Sequence, residues 1–370
     1  MDITVRQDGN FVAVDYEYDS IFLDISGRQL GPLALDFAVW LMLPLAMRRG
    51  EALHIRGDVD AKVLDNARQL ARIWTMWIPS KYKSISITAE GCATRQTERG
   101  DAAMLLFSGG VDSTFALLSR VKADHITHAL TLHGLDYDFD DAAPFAALLR
   151  KTAPLLGSLG VERTIIRTDA GRKIRDLGLT HGFILASCLF VFSRHLAKGM
   201  IAADLTPEQD MMVFPWGTNH VTNQYFSGAA FRMETVSLQA SRIEKLDQIA
   251  RDPVALRSIS FCGDKRMRPA NCGRCPKCLR TKTMLIALNG ESPRIFLDNE
   301  ISENQIAKLD VASNAAYKHY AEIVQVARMR GHLDRIPGLE RRVDHAIAMR
   351  QRQGAVSKYL HEAARIVGLA

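Results

Sequence analysis

The stretch MLLFSGGVDSTFALL, residues 104–118, decides the fold of this chain. Four apolar residues lead directly into SGGVDS (108–113), and an apolar-rich helical pattern follows at once. A glycine pair between a strand and a helix lets the backbone approach a ligand closely and turns its N–H groups toward an anion. The stretch therefore predicts a phosphate-binding loop, and a plain glycine turn with Asp112 as the helix cap is the alternative.

The residues after 102 repeat a pattern of strand, loop and helix. The predicted strands are AMLLF, HALTLHG, VERTIIRTD, MIAAD, MMVFPWG and ETVSL. This alternation predicts right-handed crossovers and a doubly wound α/β domain with a mainly parallel sheet. Ligands of such sheets bind beyond the carboxyl ends of the strands, which is where the glycine pair lies.

The length of 370 residues predicts two or three domains. Residues 1–97 mix short β patterns with two helical ones, which is typical of a small α+β domain, and the polar stretch 91–101 is a predicted linker. We expect the α/β domain at 98–260, a cysteine module at 261–290 and a helical extension at 291–370.

The sequence shows neither a signal peptide nor a membrane-spanning segment, so we do not expect a secreted or membrane protein. The N-terminus is acidic where a signal peptide would be basic, and the most apolar segment, 33–47, is shorter than the ~20 residues that span a bilayer. A net charge of +6 is compatible with an anionic partner such as a nucleotide or RNA. We expect a globular cytoplasmic protein with no membrane partner.

Four of the six cysteines form a cluster with the spacing C-x9-C-x2-C-x2-C, at Cys262, Cys272, Cys275 and Cys278. This spacing indicates a closed four-thiolate zinc site, with an iron–sulfur cluster as the main alternative. Residues 251–290 carry nine Lys or Arg against two Asp or Glu. These cations either compensate the thiolates or form an RNA-binding patch. Cys188 lies inside an apolar helix and is expected in the core.

The loop is neither a Walker A motif nor a dinucleotide fingerprint, because no lysine and no third glycine follow at the required places. It resembles the S-G-G-x-D-S signature of the PP-loop (N-type) ATP pyrophosphatases, which have an adenine nucleotide alpha hydrolase-like (HUP-type) fold. That resemblance implies cleavage of ATP to AMP and pyrophosphate, with Mg²⁺ as cofactor. The implied ATP contacts are Ser108, Gly109, Gly110, Val111, Asp112, Ser113, Thr131, Leu132 and His133.

The same resemblance implies that Lys245, with Arg242 as a second candidate, stabilises the pyrophosphate leaving group. We expect Asp112 to cap the helix or reach Mg²⁺, and the acidic triplet Asp136, Asp138 and Asp140 is a further Mg²⁺ candidate or a solvated loop.

The loop and the cysteine cluster together resemble the 7-cyano-7-deazaguanine synthase family. The resemblance covers about residues 102–290, and it implies adenylation of a carboxylate on a 7-deazaguanine derivative followed by attack of ammonia, as in queuosine biosynthesis. The first cysteine spacing is one residue longer than expected, and the terminal segments are additional. Relatives with such additions take part in bacterial antiviral defence, so a protein or nucleic-acid acceptor stays open.

The segment PWGTNH (215–220) follows a predicted strand and combines an aromatic ring with hydrogen-bonding side chains. It could stack on a planar heterocycle, and the expected substrate contacts are Trp216, Gly217, Asn219 and His181. The alternatives to a ligase are a tRNA-modifying sulfurtransferase, which needs a redox cysteine or an iron–sulfur cluster, and a non-catalytic nucleotide-binding adaptor. A homodimer is a further expectation.

Overall fold

The computed structural model describes residues 1–93, 102–196 and 198–366. The chain divides into two compact units, Met1–Ser260 and Phe261–Ala370. Most of the predicted linker, including the boundary predicted at residue 97, lies outside the described residues.

Ten strands of the described residues form one mostly parallel sheet in the first unit, so the predicted α/β class is confirmed. The strands in chain order are β1 (Asp2–Asp8), β2 (Phe11–Tyr16), β3 (Asp19–Ser26), β4 (Leu53–Asp60), β5 (Ile87–Ala93), β6 (Ala103–Leu106), β7 (Ile126–His133), β8 (Glu162–Thr168), β9 (Lys198–Ala202) and β10 (Met233–Val236). Their order across the sheet is β10-β9-β6-β7-β8-β3-β2-β1-β4-β5.

The strands β6 to β10 pair in parallel and form the doubly wound half of the sheet. The chain runs from β6 outward through β7 to β8, then returns to the other side of β6 to form β9 and β10. The direction of winding therefore reverses between β6 and β9. In open α/β sheets this reversal creates a crevice at the carboxyl ends of the two strands.

The first three strands continue the same sheet and do not form a separate one. β1, β2 and β3 are an antiparallel meander, and β3 pairs antiparallel with β8, with Ile25 opposite Ile166. This pairing covers the edge that β8 would otherwise expose. The segment that was expected as a small α+β domain thus shares one sheet with residues 102–260.

The helices of this unit pack in two groups. α3 contacts α8 and α4 contacts α9, whereas α1 contacts both α2 and α6. Their bounds are α1 (Asp36–Arg49), α2 (Ala61–Trp77), α3 (Val111–Arg120), α4 (Ala142–Leu159), α5 (Ala170–Lys173), α6 (Leu177–Phe190), α7 (Pro207–Asp210), α8 (Arg242–Ala250) and α9 (Pro253–Ser258), with a 3-10 turn at Asn223–Tyr225.

The prediction of a strand at MMVF, residues 211–214, is wrong. These residues form turns after α7, and the Phe214 ring packs 5.7 Å from the ring of Trp77 and 6.1 Å from that of His220. The place beside β9 in the sheet belongs to β10. The apolar residues 211–214 therefore belong to a loop that packs through the Phe214 ring, and in the described structure they pair with no strand.

The second unit is helical, as expected for its C-terminal part. α10 contacts α12, and α12 contacts α13, so the cysteine module and the helices that follow it share this unit. The helices are α10 (Pro276–Asn289), α11 (Glu303–Ala307), α12 (Asn314–Arg330) and α13 (Leu339–Ile366), with 3-10 turns at Lys265–Met267 and Leu333–Arg335. Within the described ranges, none of the helices has the length and apolar character needed to cross a membrane.

Candidate active site and metal centre

The glycine loop joins β6 to α3 at the point where the winding of the sheet reverses. β6 ends at Leu106, and α3 begins at Val111 with Gly110 as its N-cap. The helix N-terminus carries partial positive charge and unpaired N–H groups, so an anion is favoured there.

Only glycine fits the turn at position 109. Gly109 has φ of 72°, in the left-handed region, and a Cβ atom there would lie 2.9 Å from Cγ2 of Thr152. Its carbonyl oxygen accepts a 2.7 Å hydrogen bond from the backbone N–H of Ser260. The backbone at Gly109 is thus fixed by packing against Thr152 and by the hydrogen bond from Ser260.

The two serines of the loop are held by long hydrogen bonds. Oγ of Ser113 lies 3.3 Å from both Oγ of Ser108 and the carbonyl oxygen of Gly110. The backbone N–H of Gly110 donates to Oγ of Ser108, also at 3.3 Å. Both hydroxyls can therefore turn toward a ligand at small cost, since bonds of this length are weak.

Asp112 binds two cations that come from the start of α8. Nη1 of Arg242 lies 2.7 Å from Oδ2 of Asp112, and Nζ of Lys245 lies 3.1 Å from Oδ1. Nζ of Lys245 also donates to the carbonyl oxygen of Ala203 at 2.6 Å. Lys245 is fully buried and Asp112 is 14% exposed, so solvent screens the pair weakly. The structure brings together the three residues expected in catalytic roles.

Asp204 is a further acidic residue near Asp112, Arg242 and Lys245, and it was not expected from the sequence. It follows β9 by two residues and is exposed to solvent, and in the described part of the chain its carboxylate has no hydrogen-bond or ion-pair partner. The surrounding protein and the charge of Asp112 raise its pKa, whereas His181, Arg242 and Lys245 act in the opposite direction. An acidic residue at the end of the predicted strand MIAAD was the available signal.

Arg163 and Thr131 support the loop from neighbouring strands. Oγ1 of Thr131 donates to the carbonyl oxygen of Phe107 at 3.0 Å. The Arg163 guanidinium donates to Oγ1 of Thr152 at 2.8 Å and to Oγ1 of Thr131 at 3.3 Å. Burial lowers the pKa of Arg163 to about 10, which leaves it positively charged at neutral pH. Arg163 was not expected from the sequence, because its partners are remote in the chain.

The other residues expected near the nucleotide differ in accessibility. His133 is buried, stacks 4.1 Å from Phe145, and has its pKa lowered by burial, which favours the neutral ring. Thr131 is likewise buried, and Leu132 is half-buried. Their contact with a nucleotide stays a prediction.

The acidic triplet does not form a metal-sized cluster in the described residues. Asp138 and Asp140 both pair with Arg172, the second at 2.7 Å. Asp136 is exposed in the same loop. These three aspartates therefore fit a solvated loop better than a Mg²⁺ site.

Three of the four expected substrate residues meet at the start of α6. The His181 ring packs against Trp216 at 5.5 Å, and a Cβ atom on Gly217 would lie 2.6 Å from Nδ1 of His181. Nε2 of His181 lies 3.0 Å from Oγ1 of Thr218. Trp216 is 37% exposed, so it is not a core residue. Nδ2 of Asn219 donates to the carbonyl oxygen of Trp216 at 2.9 Å and shapes the loop.

The four clustered cysteines converge in the second unit. Their sulfur atoms all lie within 4.8 Å of one another, with Cys262 and Cys275 3.9 Å apart and Cys272 and Cys278 3.8 Å apart. Four thiolates at about 2.3 Å from one tetrahedral metal would be about 3.8 Å apart. The group therefore fits a single metal ion such as zinc.

Backbone N–H groups support the thiolates. Gly263 donates to Sγ of Cys275 at 3.2 Å, and Cys275 donates to Sγ of Cys272 at 3.3 Å. Burial alone would raise the pKa of Cys275, but donors from Cys278, Gly263 and Cys272 outweigh it and lower that pKa to about 7. The low pKa of Cys275 favours its metal-binding thiolate form, whereas burial raises the pKa of the Cys262 and Cys278 thiols.

Cys188 lies outside the metal group. It is fully buried in α6, and burial raises its pKa to about 12. The prediction that it is a core residue is confirmed. A thiol in this environment is inert as a nucleophile.

Comparisons with protein-family models, with curated protein sequences and with solved structures found no match to this chain.

Proposed function

We propose that this protein is an ATP-dependent ligase of the PP-loop type, with a HUP-type nucleotide-binding sheet. The observation that carries the proposal is the position of the loop SGGVDS at the reversal point between β6 and β9, with Asp112 held by Arg242 and Lys245. A glycine loop at this point suits phosphate groups, and the two cations suit the charge of a polyphosphate.

The loop binds the β and γ phosphates of ATP through backbone N–H groups and the hydroxyls of Ser108 and Ser113. A substrate carboxylate attacks the α phosphorus, the bond to the bridging oxygen breaks, and pyrophosphate leaves. Arg242 and Lys245 stabilise the charge that develops on the leaving group. Mg²⁺ suits the carboxylate oxygen of Asp112 and the phosphates, where it supplies further charge neutralisation.

The acceptor is a planar heterocyclic acid, of which a 7-deazaguanine carboxylate is the first candidate. Trp216 is partly exposed and packs against His181, which gives an aromatic surface beside polar groups of the same loop. Such a surface suits a flat ring with hydrogen-bonding edges. Attack of ammonia on the acyl adenylate then gives an amide and AMP.

A sulfurtransferase is less well supported. Cys188 is buried, and the clustered cysteines fit a closed zinc site. Cys92 lies on β5, seven strands from β6, which is about 34 Å along the sheet at about 4.8 Å per strand. Within the first unit, neither Cys92 nor Cys188 is therefore placed for sulfur transfer at the glycine loop.

The test is to incubate the protein with ATP, Mg²⁺, ammonium and 7-carboxy-7-deazaguanine, then follow AMP, amide and nitrile by mass spectrometry. We expect AMP in the wild type, its loss in Lys245→Met, and wild-type rates in Lys122→Met, a change of an exposed lysine outside the site. Release of ADP, or no consumption of ATP with this acid and related heterocyclic acids, would contradict the proposal.

A further inference from the structure

A small cavity lies at the carboxyl end of β9. Its volume of about 10 Å³ gives room for the centre of one molecule the size of water. Its polar lining includes Asp204, Asp210, Thr218, Asn219, His220 and Asn223.

The neutral polar groups of this lining satisfy one another. Oδ1 of Asn223 accepts from the backbone N–H of Asn219, and its Nδ2 donates to Oγ1 of Thr235 at 2.9 Å. Oδ1 of Asn219 accepts from the backbone N–H groups of Val221 and Thr222. Little hydrogen-bonding capacity is left among them for a guest.

The carboxylates are different. Asp210 is only 3% exposed, and its Oδ2 accepts from the backbone N–H of His220 at 3.0 Å and lies 2.8 Å from Nδ1 of the same residue. In the described residues nothing donates to its Oδ1. Asp204 lines the same cavity and, within those residues, has no polar partner. Two acceptor groups of negative charge thus face a space that holds one small molecule.

His220 is oriented by this arrangement. Because Oδ2 of Asp210 is an acceptor, Nδ1 of His220 carries the proton, and Nε2 then holds a lone pair. The ring stacks on Phe214, and among the described residues Nε2 has no partner. A carboxylate that fixes one nitrogen while the other stays open is the usual arrangement of a histidine base.

We propose that this cavity binds an ammonium ion and that Nε2 of His220 accepts its proton, which supplies ammonia to the acyl adenylate. The inference deepens the proposed function and rests on it. Ammonium has the size of water, one positive charge and four N–H donors, which match the carboxylate of Asp204 and the open Oδ1 of Asp210 in a space of this volume.

Asp204 connects the cavity to the proposed phosphate site, because the residue before it in the chain contacts Lys245. The carbonyl oxygen of Ala203, the residue before Asp204, accepts from Nζ of Lys245, which also contacts Asp112. Ammonium gives one proton to Nε2, and the nitrogen lone pair forms the C–N bond. The C–O bond to AMP breaks, its electron pair leaves on AMP, and a second proton passes from nitrogen to solvent.

The first test measures binding without turnover. Long-range ¹H–¹⁵N spectra of histidine-labelled protein are recorded with ammonium chloride and with sodium chloride at equal ionic strength, and the His220 signals are assigned by their absence in His220→Gln. We expect a saturable shift that ammonium alone produces and that Asp204→Asn abolishes. Equal responses to the two salts, or an unchanged ammonium response in Asp204→Asn, would overturn the inference.

The second test distinguishes a defect in proton transfer to His220 from a defect in formation of the acyl adenylate. The products formed with ammonium and with hydroxylamine, a neutral nucleophile that needs no base, are measured side by side. His220→Gln should lower the ammonium-to-hydroxylamine product ratio by about a hundredfold. His345→Gln, an exposed histidine in the second unit, should keep the wild-type ratio.

An unchanged ratio in His220→Gln would overturn the role of the base. Absence of AMP in the wild type would count against the proposed function alone, and the salt comparison would then decide ammonium binding by itself.

Discussion

Nζ of Lys245 lies 3.1 Å from Oδ1 of Asp112, although 133 positions separate the two residues in the chain. The contact links the first turn of α3 to the first turn of α8, and so joins two helix N-termini at the reversal point of the sheet. A buried ion pair of this kind is costly to break on one side, because the remaining charge stays desolvated. We therefore expect this pair to contribute to stability as well as to the proposed binding of phosphate.

Replacement of Lys245 by methionine tests the energetic part of this relationship. The change removes the buried charge and both hydrogen bonds of Nζ while keeping the side-chain bulk. We expect the free energy of unfolding to fall by about 3 kcal/mol, measured by urea denaturation. The double variant Asp112→Asn with Lys245→Met should lose less than the sum of the single changes. Additive losses would show that the two charges are not coupled.

Replacement of Gly109 and of Gly157 by alanine should change the stability of the protein in opposite directions. Gly109→Ala forces a side chain into the left-handed region and against Thr152, so it should destabilise the fold by about 1–2 kcal/mol. Gly157 lies in α4, and a methyl group added there would meet open space, so Gly157→Ala should stabilise by about 0.5–1 kcal/mol. Thermal melts of both variants check the signs, and equal effects would contradict the loop geometry.

Asp204→Asn should make the protein more stable at neutral pH. The pKa of Asp204 is raised in the folded state above its ordinary value of 3.8, so the folded protein binds this proton more tightly than the unfolded chain. The ionised carboxylate therefore destabilises the fold above the folded pKa, and this cost disappears as pH falls below the unfolded pKa.

The melting temperatures of wild type and Asp204→Asn are compared from about pH 7 down to about pH 4. The melting temperature of Asp204→Asn should be higher than that of the wild type at neutral pH, and this difference should shrink as the pH falls. Asp8→Asn, an exposed carboxylate with no ion pair in the described structure, is the control. A variant that is less stable at neutral pH would contradict the unpaired state of Asp204.

Metal removal should unfold the second unit. Four thiolates around one zinc ion contribute on the order of 10 kcal/mol of folding free energy in small zinc modules. We expect one zinc per chain by elemental analysis, loss of zinc in Cys278→Ser, and full retention in Cys92→Ser. Iron with visible absorbance in the purified protein would instead indicate an iron–sulfur cluster.

Local patterns in the sequence were sufficient for the glycine loop and its flanking elements. The apolar run before Ser108 and the glycines after it specify a strand, a turn and a helix start within a few residues, so β6 and α3 were predictable. The spacing of Cys272, Cys275 and Cys278 likewise predicts that their sulfur atoms converge, as they do in the structure. In both cases the decisive residues are neighbours in the chain.

The features that were missed depend on contacts between remote residues. The pairing of β3 with β8 joins Ile25 to Ile166, and no local pattern indicates which edge of a sheet is covered. MMVF has the composition of a strand, yet Phe214 packs on Trp77 across the loop. The Asp210–His220 pair was likewise invisible, because an acidic residue and a histidine ten positions apart form a pair only once the turn between them is known.

The most direct test of the central claim is equilibrium binding of α,β-methylene-ATP, which cannot be cleaved between its α and β phosphates, by titration calorimetry with Mg²⁺. We expect binding of one nucleotide per chain and at least about tenfold weaker binding by Lys245→Met, which corresponds to a loss of about 1.4 kcal/mol. Absence of binding by the wild type, or equal affinity of the variant, would contradict the assignment of the glycine loop as an ATP site.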